Sequence, residues 1–166
     1  MQVGPTLRAG LPLALLAALA ACQGADDSSL AERQELANTS MLAVVPKTPP
    51  QLLLRGFETH CLTPSDTAGA RSARLRAAGY VPAGGWRGDS RDFVTGDRRP
   101  KVRITRNGKG CAVIARARTG QEAAVQAALP GWFPQAAAVR STDRNRIWQT
   151  GRSEGEGFAI LRSAAG

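Results

Sequence analysis

The dipeptide Asn107-Gly108 constrains the fold more than any other feature of this chain. It sits between Lys101–Arg106 and Lys109–Arg118, two runs in which apolar and polar side chains alternate. Alternation with period two marks a half-buried strand, and Asn-Gly is the preferred pair for a two-residue type I′ turn. A hairpin closed there pairs Arg106 with Lys109, Ile104 with Cys111, Val102 with Val113 and Lys101 with Ile114. Val102, Ile104, Cys111, Val113 and Ala115 then share the core face. Lys101 and Arg103 point the other way, together with Ala112, Ile114, Arg116 and Arg118.

Helical signals flank this hairpin. Thr48-Pro49-Pro50 reads as a helix start, with Thr48 as N-cap and Pro49 in the first turn. Leu53, Leu54, Phe57 and Cys61 follow at helical spacing, although residues 52–57 also suit a strand. Thr63-Pro64-Ser65-Asp66 has the form of a capping box, opening a helix to about Ala78 with Gly79 as its left-handed end. Thr119-Gly120-Gln121-Glu122 is a second such box. Its helix has Val125, Ala128 and Leu129 on one side and is expected to stop at Pro130. Strand-like pieces at 136–140, 146–150 and 157–162 are separated by polar loops.

Gly108–Ile114 is similar in pattern to Gly155–Leu161. Each follows a helix and a Gly-Trp pair, Gly85-Trp86 and Gly131-Trp132. The pattern predicts an α+β fold: a two-layer sandwich with helices packed on one face of an antiparallel sheet. Two helix-plus-hairpin repeats sharing that sheet are one way to build it; chance similarity in an Ala/Gly-rich chain is the other.

The N-terminal segment points to export. Arg8 precedes the apolar run Leu11–Ala21, which is too short to cross roughly 30 Å of hydrocarbon as a helix. Small residues then lead to Cys22, as in a cleaved secretory signal. Leu19-Ala20-Ala21-Cys22 resembles the lipobox of bacterial lipoproteins, a resemblance confined to this segment. It implies cleavage before Cys22, diacylation of the Cys22 sulfur and acylation of its amine. Two or three acyl chains anchor a protein stably where one is marginal. Gln23 instead of Asp after the Cys implies, by the same resemblance, the outer rather than the inner membrane. The expected organisation is a signal peptide over 1–21, a linker over 22–47 and a single periplasm-facing α+β domain over 48–166.

The net charge of +9 is unevenly placed. Residues 22–60 carry three basic and five acidic side chains, whereas 61–166 carry 18 and 8. An acidic tether thus precedes a basic domain. Arg outnumbers Lys 19 to 3, an excess that a GC-rich genome alone would also produce. Arg matches phosphate and carboxylate groups with paired hydrogen bonds. Lys101, Arg103, Arg116 and Arg118 are therefore the candidate anion-binding set, against the alternative of a solvated charged face. Lys101 lies diagonal to Arg116, and like charges so placed call for an acid or a bound anion. For an exported chain the expected partners are the membrane, an envelope protein or an anionic envelope polymer, not nucleic acid.

With Cys22 taken by lipid, Cys61 and Cys111 remain. An even count in an oxidising compartment predicts one disulfide, with two free thiols as the alternative. The inward placement of Cys111 lets Cys61 reach it if the first helix packs on the core face. A disulfide would remove Cys61 as a nucleophile, and neighbours on a helix point about 100° apart, so His60 and Cys61 do not face each other. Asp89, Asp92 and Asp97 lie among Arg87, Arg91, Arg98 and Arg99. Ion pairing explains them more simply than a glycosidase dyad or a calcium loop. Tyr80, Trp86, Trp132 and Trp148 suit either sugar stacking or core and edge anchoring. One His and three Cys leave no ordinary zinc cluster, and no Walker or Rossmann glycine pattern is present. The expectation is a non-catalytic interaction module without metal or cofactor. An envelope-acting hydrolase using Asp89, Asp92 or His60 is the alternative.

Overall fold

The computed structural model describes residues 26–39, 45–63, 67–142, 145–150 and 158–162. Cys22 and the rest of the lipobox lie outside them. In chain order the elements are α1 (Leu30–Asn38), α2 (Pro50–Phe57) running into a π-helical turn (Glu58–Leu62), α3 (Ala68–Ala77), β1 (Val81–Pro82), β2 (Ser90–Val94), β3 (Lys101–Thr105), β4 (Cys111–Ile114), α4 (Gln121–Trp132), β5 (Ala137–Ser141), β6 (Asn145–Gln149) and β7 (Phe158–Arg162). Strands β1–β4 form one antiparallel sheet in chain order, and β5–β7 form a second. The fold is α+β.

The β3–β4 register pairs Ile104 with Cys111, Val102 with Val113 and Lys101 with Ile114, as the alternation requires. The turn itself differs from expectation. Gly108 N–H donates to Thr105 O, so the bend centres on Arg106-Asn107. A type I′ turn needs positive φ at both central residues, and here Gly108 alone has it, at +73°. Asn107 acts through its side chain, which accepts from Lys109 N–H at 3.0 Å. The strand β4 ends at Ile114 rather than Arg118. The residue opposite Ala115 would be Pro100, which has no N–H to extend the ladder.

Inward-facing β-residues meet α3 in the core. Phe93, Val102, Ile104, Leu75 and Tyr80 are buried together, with Trp86, Cys111 and Val113 packed against them. The α3 C-terminus closes as the sequence predicts. Gly79 sits at φ +80°, its N–H donates to Arg76 O, and Tyr80 N–H donates to Leu75 O. This is a Schellman closure, and it delivers Tyr80 beside Leu75 in the core. Cys61, on the π-helical turn, is bonded to Cys111 with a Cα–Cα distance of 5.4 Å. That bond ties the layer above the sheet to β4.

The helix starts fall elsewhere than expected. Pro50 forces the residue before it into an extended conformation, so Pro49 is the N-cap, at ψ 149°, and Thr48 makes no capping bond. The N-cap of α3 is Thr67, whose side chain accepts from Ala70 N–H. Pro64, Ser65 and Asp66 lie outside the described residues. Gly120, not Thr119, is the N-cap of α4, and Pro130 lies inside that helix. The proposed repeat is not reproduced by equivalent positions. Its strands belong to separate sheets, and Gly85-Trp86 follows β1 whereas Gly131-Trp132 closes α4.

Residues 26–39, expected to be tether, dock on the domain. Ser29 caps α1 reciprocally with Glu32. Asp26 and Asp27 both pair with Arg91, and Glu32 and Asp27 with Arg76. Arg91 stands in the inward row of β2, opposite Ile104, and its side chain is only 1% exposed. A guanidinium in that row needs counter-charge. The acidic segment supplies it.

Candidate anion-binding site

The four cations singled out from the sequence do not act as one face. Asp92 is directly opposite Arg103 across β2–β3. Its Oδ1 accepts from Arg103 Nε at 2.6 Å, and its Oδ2 accepts from Arg103 Nη2 and from Lys101 Nζ, each at 2.9 Å. Burial pushes the Asp92 carboxyl upward, but the hydrogen bonds from Arg103 and Lys101 outweigh it and hold the group below its ordinary value. The acid that two neighbouring cations require is therefore internal, and Asp92 engages both Lys101 and Arg103, offsetting one of their two charges. Arg116 and Arg118 lie beyond the end of β4, so the strand alternation that would aim them does not reach them.

Arg118 instead lines an open depression of about 550 Å³ with Lys47, Arg98 and Thr119. Lys47, Arg98 and Arg118 are exposed. Among the described residues none of the three forms an ion pair. The acids nearest Arg98 and Arg118 in sequence are engaged elsewhere: Asp97 with Arg99, and Glu122 with Arg146 at 2.7 Å.

Each of the three cations stands on backbone fixed by side-chain hydrogen bonds. The Gln121 amide joins two of the segments. Its Nε2 donates to Thr48 O at 2.8 Å and to Arg116 O at 3.1 Å, and its Oε1 accepts from Arg118 N–H at 2.9 Å. Arg116 N–H donates to Pro46 O at 2.9 Å, holding the segment that carries Lys47 beside the one that carries Arg118. In the third segment Asp97 Oδ1 accepts from the Thr95 hydroxyl and from Arg99 N–H, each at 2.8 Å. Arg98 lies between these bonded residues. The α4 N-terminus begins two residues after Thr119, and its dipole adds potential of the same sign.

The residues weighed for catalysis are placed differently. His60 is buried and packs edge-on against Tyr80 with ring centroids 5.1 Å apart. Burial, then the charges of Arg99 and Arg74, depress its pKa. Cys61 is held in the disulfide. Asp92 and Asp97 are each bound to cations, and the contact recorded for Asp89 is its carbonyl accepting from Arg106 N–H.

The aromatic residues serve mainly as anchors. Tyr80 donates its hydroxyl to Pro100 O, and burial pushes its pKa up to about 12. Trp132 stacks on Phe57 at 4.9 Å and donates to Glu58. Arg106 covers the Trp86 ring. Trp148 lines a shallow cleft of about 480 Å³ between α4 and the second sheet.

Sequence reasoning missed Lys47, Arg98 and Gln121. Lys47 was assigned to the linker and Arg98 to a loop of paired charges, and nothing local marks them as neighbours of Arg118. Gln121 lay inside the supposed capping box. No protein-family model, curated protein or solved structure matches this chain.

Proposed function

We propose that this chain is a lipid-anchored protein of the bacterial envelope, attached through Cys22, whose α+β domain faces the periplasm as a non-catalytic binding module. The observation that carries the reading is the bond between Cys61 and Cys111. Structural disulfides persist in oxidising compartments, where a signal ending at Cys22 would deliver the chain. Pairing of the other two cysteines leaves Cys22 as the thiol available for acylation. The non-catalytic part is supported by the packed position of His60, the oxidised state of Cys61 and the ion pairs of Asp92 and Asp97.

The docked segment gives this anchor a particular geometry. Only Gln23, Gly24 and Ala25 separate Cys22 from the Asp26 pair with Arg91. The domain would then sit close against the bilayer rather than on a long leash. Growth with a labelled fatty acid tests the anchor. The native chain should carry label and enter the detergent phase, and Cys22→Ser should lose both. Equal membrane partition of the unlabelled Cys22→Ser chain would overturn the proposal.

A second reading, binding of an anionic polymer or lipid headgroup, is favoured by one observation. Lys47, Arg98 and Arg118 line a single depression, and among the described residues none of them forms an ion pair.

A further inference from the structure

We infer that the depression lined by Lys47, Arg98, Arg118 and Thr119 is a binding site for a phosphate group, monoester or diester. The inference deepens the second reading above and names its site and ligand chemistry. It does not depend on acylation of Cys22.

Three arguments converge. The first is charge. Three cations facing one concavity raise its potential and concentrate anions there. Two other groups of cations face acids: Arg91 and Arg76 pair with Asp26, Asp27 and Glu32, and Lys101 and Arg103 share Asp92. Among the described residues this group has no ion-pair partner.

The second is donor chemistry. Two guanidinium forks match the tetrahedral oxygens of phosphate with paired hydrogen bonds, and an ammonium adds a compact point charge. Thr119, which lines the same depression, carries a hydroxyl that can add a neutral donor. A carboxylate presents two oxygens in one plane and would leave part of this donor set unused. A phosphate presents enough oxygens to engage it all.

The third is preorganisation. The Gln121 amide, the Arg116–Pro46 backbone bond and the Asp97 cap fix the three segments before any ligand arrives. The ordering cost on binding is thus confined to the side chains.

Phosphate reaches an envelope protein from two sources, as a headgroup in a membrane or as a free or polymer-borne group. The test uses the oxidised full chain in nonionic detergent, titrated with inorganic phosphate while amide shifts are followed by NMR. In parallel the full chain carrying Cys22→Ser, free of detergent, is sedimented with phosphatidylcholine vesicles, with and without phosphatidylglycerol. Variants Lys47→Gln, Arg98→Gln and Arg118→Gln are compared with Lys109→Gln, which removes the same charge from the exposed hairpin tip.

Each depression variant should weaken binding by about three- to tenfold, as expected for loss of a charge-assisted hydrogen bond. Lys109→Gln should change it by less than about twofold. The Gly120 and Gln121 amides should shift with phosphate. Binding should weaken as salt rises. Loss confined to the vesicle arm assigns the site to headgroups, and loss confined to the phosphate arm assigns it to free phosphate. The inference is overturned if neither probe binds, or if Lys109→Gln weakens binding as much as the depression variants. Because the probes report charge recognition and not attachment, an unacylated Cys22 would sink the anchoring proposal and leave this result standing.

Discussion

Replacing Asp26 and Asp27 together by Asn strips the charge that the fold places against Arg91. In the native chain Arg91 Nε donates to Gly84 O at 3.0 Å, Nη2 donates to Asp26 at 3.0 Å, and Nη1 donates to Asp27. The guanidinium side chain is 1% exposed, whereas Asp26 and Asp27 are 36% and 62% exposed. Asparagine oxygens can still accept, so the loss is the difference between charged and neutral hydrogen bonds, about 1 kcal/mol each. Exposure of the carboxylates screens part of this, which leaves roughly 1–2 kcal/mol for the pair.

The asymmetry is diagnostic. Removing the acids strands a buried cation, while Arg91→Met lets two exposed acids rehydrate and fills the inward row with an apolar side chain. The double Asn variant should therefore lower the unfolding free energy from urea titration by this amount, and Arg91→Met should lower it less. In both variants the α1 amides should exchange faster with solvent. A change under about 0.3 kcal/mol in the double variant, with α1 protection unaltered, would refute the claim that the acidic segment is part of the folded domain.

Four further outcomes are expected. Reduction of the Cys61–Cys111 bond, which spans 50 residues, should cost about 4 kcal/mol by the chain-entropy relation, read as the difference between oxidised and reduced unfolding curves. Gly108→Ala should destabilise by about 2–4 kcal/mol in thermal unfolding. It combines a left-handed backbone with a Cβ placed 3.0 Å from the Thr67 carbonyl carbon. Thr48→Val should raise the denaturation midpoint or leave it unchanged, because the buried Thr48 hydroxyl has no partner among the described residues. Stability should fall in two acid windows, measured by denaturation at fixed ionic strength. The His60 pKa lies below 6.5 in the fold, so its contribution is complete above 6.5 and declines as the unfolded chain takes up a proton below it. Asp27 is held below its ordinary 3.8, first by the Arg91 hydrogen bond against burial. The contribution of the docked segment is therefore present above about 3.8 and lost as pH falls through the lower folded value.

The legible parts of the sequence are those set by local rules. Period-two alternation fixed the β3–β4 register, and that register placed Cys111 inward where Cys61 meets it. Gly79 marked the end of α3 because no other residue adopts its backbone as readily. Errors arose where one local rule overrode another. The Pro49-Pro50 pair displaced the cap from Thr48. The side-chain bonds of Asn107 moved the turn by one residue. Pro100 ended the strand before Arg116.

Long-range pairings were not legible. Asp26 and Arg91 are 65 residues apart, and Gln121 and Thr48 are 73 apart. A charge balance that makes 22–60 acidic and the remainder basic shows attraction without showing where contact occurs. The anion site was half read for the same reason. Of the candidate cations Arg118 lines the depression, whereas Lys101 and Arg103 face Asp92, which the sequence does not place opposite them. Lys47 and Arg98 come from segments that only the tertiary fold brings beside Arg118.

Central to this account is a chain with Cys22 acylated and Cys61 joined to Cys111. Intact mass spectrometry of the membrane-extracted protein, without reductant and without alkylation, reads both at once. The expected species begins at residue 22, carries the mass of two or three acyl groups and lacks two hydrogens. A species that retains residues 1–21, carries no acyl mass and lacks no hydrogens would contradict both assignments.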